Sequence, residues 1–358
     1  MKDEIFEEYS REKEPTKYYK TYAWKTAIGL QKVDGLEPSE YLIKTAEQHI
    51  DGDISFDDAH KLITSYYKEN KAKSERAEEA DKVSVRIAEI ISEKSFVFSP
   101  IEFTTIHKRL FEGIYSHAGR IRDYNITKDE WVLDGDTVIY GNAINLRETL
   151  EYDFGVEKNF DYKGLSTEDV IKHVARFISN LWQIHIFGEG NTRTTAVFLI
   201  KYLSKLGFNV TNDIFAENSW YFRNALVRAN YNNRDKGITE TTYYVELFLR
   251  NLLLGEDNIL SNREMHISYK EPVEPAPIVN EREIAIIEII RANPSITLDE
   301  VAERIGKSPR TVKTAVKSMR ERGIVERVAE NKIYAELKGV AKIEEKEISH
   351  EDFGKLFA

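Results

Sequence analysis

Residues 185–196, HIFGEGNTRTTA, put a histidine, an acid, two glycines, an asparagine and an arginine into twelve positions between two apolar helical patterns. Upstream, Val170, Val174, Phe177, Leu181 and Ile184 recur at helical spacing behind Ser166 and Asp169, a pair that can cap a helix start. That helix should end at His185. Val197, Phe198, Ile200 and Leu203 predict a second helix beginning near Asn191. Unpaired amides and the positive dipole end would then meet at Gly190, Asn191 and Thr192, the physical basis of an anion cradle. Arg193 can clamp phosphate oxygens, Glu189 is a hard oxygen ligand for magnesium, and His185 can take a hydroxyl proton near neutral pH. Phe187 is the packing anchor. Base, metal ligand, cradle and cation within one loop suit phosphoryl or nucleotidyl transfer.

This string resembles the HxFx[D/E]GNxR signature of the Fic family, whose members typically transfer AMP from ATP to a protein hydroxyl. The likeness extends to HKRLFEGIYSHAGRIR at 107–122, to Tyr124-Asn-Ile126 and to a hairpin before the motif, covering about Glu93 to Leu254. It implies His185 as general base, Glu189 as magnesium ligand, Gly188 to Thr192 as the nucleotide-binding loop and Arg193 as phosphate clamp. ATP is the implied co-substrate and Mg2+ the implied cofactor. Two positions depart from the family's GNGRxxR. Thr192 replaces a glycine, which leaves the backbone amide available. Ala196 replaces the final arginine, removing a charge-assisted contact of about 1.5 to 3 kcal/mol.

The rest of the chain has to position this loop. With 358 residues, two or three domains are expected. Cysteine is absent, which excludes disulfides and thiolate metal sites, and no stretch has the length and apolarity of a signal peptide or membrane helix, so the cytoplasm is the expected location. A net charge of −10 argues against a surface basic throughout but permits a local basic patch.

Residues 1–21 read as a charged arm. Residues 22–92 read as a helical region, broken at Asp34-Gly35, restarted behind Pro38-Ser39 and turned again at 50–55. LQKVDGLEPSEYL, HIDGDIS and LITSYY are similar to antitoxin domains that partner Fic proteins. In those a [S/T]xxxE[G/N] motif is inhibitory, its glutamate reaching the final signature arginine. At the matching place this chain reads Leu30-Gln-Lys-Val-Asp34-Gly35, with the serine lost and the glutamate shortened. Ser65-Tyr-Tyr-Lys-Glu69-Asn70 fits letter by letter but lies two helices later. Asp34, Gly35 and Glu69 are therefore the inhibitory candidates.

The resemblance assigns 93–262 to the Fic domain. Within it, Asp134-Gly135 between β-branched and aromatic flanks predicts a small β-hairpin; by resemblance this is the flap that holds a target segment by strand addition. Either Tyr221 or Phe222, with Asn230, is a candidate lining for an adenine pocket. Three prolines in 271–277 mark the 263–280 stretch as a stiff linker. Residues 281–338 show helix-turn-helix grammar: Ile284, Ile287 and Ile290 on one helix, a Thr297 to Glu300 capping box opening a second, and Ser308-Pro309 opening a third. The third helix should bury Val312, Ala315, Val316 and Met319, and two strands after it suggest a wing. This module resembles a winged helix-turn-helix domain. Arg310, Lys313, Lys317 and Arg320 recur on another face and suit contact with DNA phosphates, although the module's twelve basic and ten acidic residues nearly balance. Residues 339–358 are a charged tail.

The expected fold is mainly α, a Fic-type helical bundle with a small hairpin flap plus a C-terminal winged helix. The expected activity is a protein adenylyltransferase acting on a Ser, Thr or Tyr hydroxyl. Its implied partners are a target protein, the chain itself as a modification target or in a homo-oligomer, and DNA, with no membrane. Two alternatives stand beside it: a Doc-like phosphotransferase, since that branch also begins its motif HIF, and a DNA-binding regulator with a silent Fic domain.

Overall fold

The computed structural model describes residues 15–69, 74–269, 278–293, 296–322, 324–329, 332–335, 341–343 and 346–348. It divides into two compact units, Met1–Tyr269 and Lys270–Ala358.

The first unit is helical. Helix α1 (Pro15–Gly29) runs into a 3-10 turn at Leu30–Asp34 that ends on a left-handed Gly35. Helices α2 (Glu40–Asp51), α3 (Phe56–Glu69) and α4 (Glu75–Ser92) follow. Then come α5 (Pro100–Phe111), α6 (Leu146–Lys158), α7 (Thr167–Ile184), α8 (Asn191–Lys205), α9 (Ile214–Arg228), α10 (Tyr243–Leu254) and a single turn, α11 (Asn262–Met265). The arm expected over 1–21 is thus helical from Pro15, because the chain there is packed: Thr21 is buried and the Tyr18 hydroxyl donates to the Thr211 carbonyl. Residues 1–14 lie outside the described residues.

One hydrophobic core unites α1 to α11. Trp24, Leu30, Leu42 and Ile63 from the N-terminal helices belong to the same buried cluster as Phe103, Trp182, Phe187, Phe198 and Phe248. The seam between α1 and α9 depends on Gly29: a Cβ there would lie 2.3 Å from the Ala216 carbonyl oxygen, and the Ser219 hydroxyl donates to the Gly29 carbonyl at 2.7 Å. A backbone approach this close admits only glycine.

The expected flap hairpin is not formed. Asp134 and Gly135 both take positive φ, the turn chemistry that Asp-Gly announces. No ladder flanks it, because Trp131–Leu133 coils into a 3-10 turn that buries Val132 and Leu133, and the Val132 carbonyl accepts from the Ile267 amide instead.

The second unit holds α12 (Glu281–Ala292), α13 (Leu298–Arg304) and α14 (Pro309–Glu321), followed by an antiparallel pair β2 (Val325–Ala329) and β3 (Lys332–Ala335). The Thr297 and Ser308 caps form as the sequence predicts. Asn280 and Glu283 add a second capping box. Val312, Val316 and Met319 are buried, whereas Ala315 is half-buried. A small sheet joins β1 (Ile278–Val279), β4 (Ala341–Ile343) and β5 (Lys346–Ile348), with β1 parallel to β4. Part of the tail, read as uninformative charge, therefore forms strands; residues 351–358 lie outside the described residues.

Candidate active site

The Ser166 hydroxyl accepts from the Asp169 amide and starts α7, which runs without interruption to Ile184. His185 caps it in the left-handed conformation (φ 50°), unusual for a residue with a Cβ. Arg122 holds this turn. Its buried guanidinium donates to the carbonyls of His185 (2.7 Å), Gly141 (2.5 Å), Ile184 (3.4 Å) and Tyr124, and its own amide donates to the Ile186 carbonyl at 2.9 Å. Carbonyls that a helix end leaves without partners are thereby satisfied by one cation.

His185 is 4% exposed, and its ring is packed between aromatics. It lies 4.4 Å from the Tyr140 ring and edge-on to Trp182. Tyr140 is fixed by its hydroxyl, which donates to the buried Glu130 at 2.8 Å, and Glu130 is paired with Arg223 at 2.6 Å. Burial, then the positive charges of Lys128, Arg122 and Arg223, hold the imidazole well below its ordinary pKa. It is neutral at pH 7, as a base must be, and its Nδ1 has no hydrogen-bond partner.

The loop is closed by Asn191, whose side chain accepts from the Phe187 amide (3.0 Å) and donates to the Phe187 carbonyl (2.8 Å). Gly190 takes φ 77° and packs so closely that a Cβ would meet the Phe111 ring at 2.4 Å. Phe187 stacks on His107, ring centroids 3.6 Å apart. Thr192 turns its hydroxyl inward to accept from the Trp182 indole at 3.0 Å, which keeps its side chain out of the cradle. Ala196 is fully buried in the core. Gly188, Glu189, Gly190, Asn191 and Thr192 therefore share one rigid turn ahead of α8, whose first amides lack intrahelical acceptors. Glu189 is exposed, and the Lys128 ammonium lies 3.0 Å from its carboxylate.

Arg193 does not face the mouth of the loop. It is 1% exposed and turned back toward the N-terminal helices. Its Nε lies 2.8 Å from Asp34, its Nη2 2.6 Å from Glu79 and 3.1 Å from the Tyr115 hydroxyl, and its Nη1 donates to Gln31 at 3.0 Å. Its guanidinium lies over the Phe111 ring. Burial would lower its pKa, but the carboxylates of Asp34 and Glu79 outweigh that and hold the charge more firmly than usual. Asp34 thus meets the first signature arginine, at the position where the 3-10 turn, capped by Gly35, delivers it. Glu69 is exposed at the end of α3. The periodicity of α4 gave no sign that Glu79 would join this cluster.

The adenine-pocket candidates are core residues instead. Tyr221 and Phe222 are fully buried around Phe248, and Asn230 is spent on the carbonyls of Ser179 and Leu226. In the second unit Arg310, Lys313, Lys317 and Arg320 are all exposed on α14. Lys313 pairs with Asp299 at 3.1 Å and Lys317 with Glu321 at 4.0 Å, exposed pairs that contribute little and exchange readily.

Two buried histidines tie this framework to pH. His107 Nδ1 accepts from the Gly119 amide (2.8 Å), so Nε2 carries the proton and donates to the Glu189 carbonyl (2.9 Å). Burial lowers His107 to about 3 and His49 to about 4. Both folded values are depressed, so the unfolded chain takes up protons first as pH falls below about 6.5, and the neutral-state stability is lost downward through that window. Between pH 7 and pH 5 each histidine should subtract about 2 kcal/mol from unfolding free energy. Urea titrations at the two pH values check this, and stability that rises on acidification would refute it.

Residues 97–203 match the Fic/DOC family, and residues 279–326 match a winged helix-turn-helix DNA-binding family. Protein adenylyltransferase VbhT of Bartonella schoenbuchensis is 27% identical over 108 residues, 30% of this chain and 21% of that protein. The match therefore spans about a fifth of the relative's length. Among solved structures, the N-terminal Fic domain of a Bartonella effector protein from Bartonella sp. AR 15-3 is 19% identical with a TM-score of 0.39, covering 50% of this chain and 83% of that one. A Fic family protein from Desulfovibrio desulfuricans G20 is 11% identical with a TM-score of 0.39, covering 88% of this chain and 87% of that one.

Proposed function

We propose, from the premise that this chain carries a Fic/DOC-family domain followed by a winged helix-turn-helix domain, that it is a protein adenylyltransferase that moves AMP from ATP to a hydroxyl of a target protein. The observation that carries this reading is the neutral, buried His185 held one rigid turn away from the unpaired amides of α8. The imidazole takes the proton of the target hydroxyl, and that oxygen attacks the α-phosphate as pyrophosphate leaves. The amides from Gly190 to Thr192 stabilise charge on the phosphate oxygens. The name of the relative VbhT supports AMP as the transferred group.

Magnesium fits the donors present in one way. No group of three or more His, Cys, Asp or Glu that could hold a metal occurs among the described residues, so the chain offers Glu189 as a single oxygen ligand. One carboxylate plus substrate phosphates and water is a usual magnesium arrangement. Bound there, the ion would neutralise phosphate charge.

The test is incubation of the full chain with magnesium and ATP labelled at the α- or the γ-position. Label from the α-position on the chain itself or on lysate proteins supports adenylyl transfer. Label from the γ-position only points to the phosphotransferase. No label from either, with salt-dependent DNA binding through α14, points to a regulator with a silent Fic domain. The exposed Arg310, Lys313, Lys317 and Arg320 on a winged-helix module support DNA as a partner in each case.

The contact of Asp34 with Arg193 supports a second feature, a brake. A carboxylate that occupies the guanidinium competes with phosphate for it. Truncating the N-terminal helices is a poor test, because they share the core with the motif helices. Asp34→Asn is a better one: losing about 1 kcal/mol of restraint should raise the initial rate about fivefold. An unchanged rate from a well-folded variant would remove the brake.

A further inference from the structure

The cations around the loop are mostly committed to protein partners. Arg122 is spent on backbone carbonyls, Arg223 on the buried Glu130, and Arg193 on Asp34, Glu79 and Gln31. Lys128 differs. Its side chain is 27% exposed, and it reaches across 61 positions of sequence to a Glu189 carboxylate that is itself 55% exposed. An ion pair this open is weak and exchangeable, unlike the buried ones beside it. Lys128 is also the strongest charged influence on the His185 imidazole, which places its field at the reacting end of the loop.

We infer that Lys128 is a phosphate-binding residue of this site, a lysine that leaves Glu189 when a magnesium nucleoside triphosphate arrives and takes up the oxygens of its β- and γ-phosphates. The inference rests on the transfer reading above. Glu189 holds either the ammonium or the metal, and the released ammonium supplies the positive charge that the buried Arg193 withholds and Ala196 lacks. A lysine suits this exchange because its point charge and flexible stem move without breaking a fixed hydrogen-bond fork. The pair also keeps the Glu189 carboxylate from repelling an incoming polyphosphate while the metal is absent.

The test is calorimetric binding of Mg-ATP and of AMP to the full chain carrying His185→Ala, which prevents turnover, with and without Lys128→Gln or Lys128→Arg. Lys128→Gln should weaken Mg-ATP about tenfold, the equivalent of about 1.4 kcal/mol. AMP affinity should be unchanged, and Lys128→Arg should restore most of the Mg-ATP affinity. Equal Mg-ATP affinity in the Gln variant and its parent would overturn the inference and leave the transferase reading standing. So would an equal loss for AMP and ATP, which would indicate general damage to the loop. A parent that binds no ATP at all would overturn both.

Discussion

His185→Ala is expected to lower α-phosphate label transfer by about 10²- to 10⁴-fold, the range set by removing a positioned general base. The loss should fall on the maximal rate and leave nucleotide affinity nearly unchanged, because the cradle is backbone closed by Asn191 and does not use the imidazole. The neutral state of His185 sharpens the expectation: burial and three neighbouring cations disfavour its protonation, so the rate should not fall as pH drops modestly below 7. Steady-state kinetics of wild type and variant from pH 6 to 8 would check both parts. A variant within tenfold of wild type would assign proton removal elsewhere.

The second large effect is structural. Arg122→Ala removes the one cation that binds the carbonyls of His185, Gly141 and Tyr124, all gathered at the end of α7. Hydrogen bonds to a charged donor contribute about 1.5 to 3 kcal/mol each, and buried carbonyls left bare add their desolvation cost. Because these contacts share one side chain, we expect a total near 3 to 5 kcal/mol. Chemical denaturation would measure it. Lysine cannot substitute: it has no planar fork to span carbonyls from separate segments, so Arg122→Lys should recover only a minor part of the stability and of the transfer activity.

The contrast between these two residues shows what the sequence could and could not reveal. His185 was legible because its helix announces itself twice, by the Ser166 cap and by an apolar face of period 3.6, and because Gly190 and Asn191 mark the next start. Arg122 could be recognised as part of the family lead-in, yet its grip on four carbonyls is a matter of how distant turns converge, which no spacing encodes. Glu79 is a similar case: it stands in a solvated-looking charge run, and only the packing of α4 beside the 3-10 turn brings it to Arg193. Lys128 has no local signature at all. The flap shows the opposite limit, where the local signal is right and the element is not. Asp134-Gly135 makes the turn it promises, but Trp131–Leu133 coils into a 3-10 turn that sends Val132 and Leu133 into the core, so that side has no strand to pair.

The fastening of Arg193 to Asp34, Glu79 and Gln31 also bears on how such a chain can change over generations. The winged helix lies in a second compact unit, Lys270–Ala358, with a hydrophobic core of its own, and its sequence can vary around that core. The N-terminal helices have no such freedom. Their glycine seam with α9 and their acids on the signature arginine make them part of the same inherited block as the transfer loop. A substitution at Gln31 or Asp34 is therefore tested against the chemistry of the loop, even though both lie far from it in sequence.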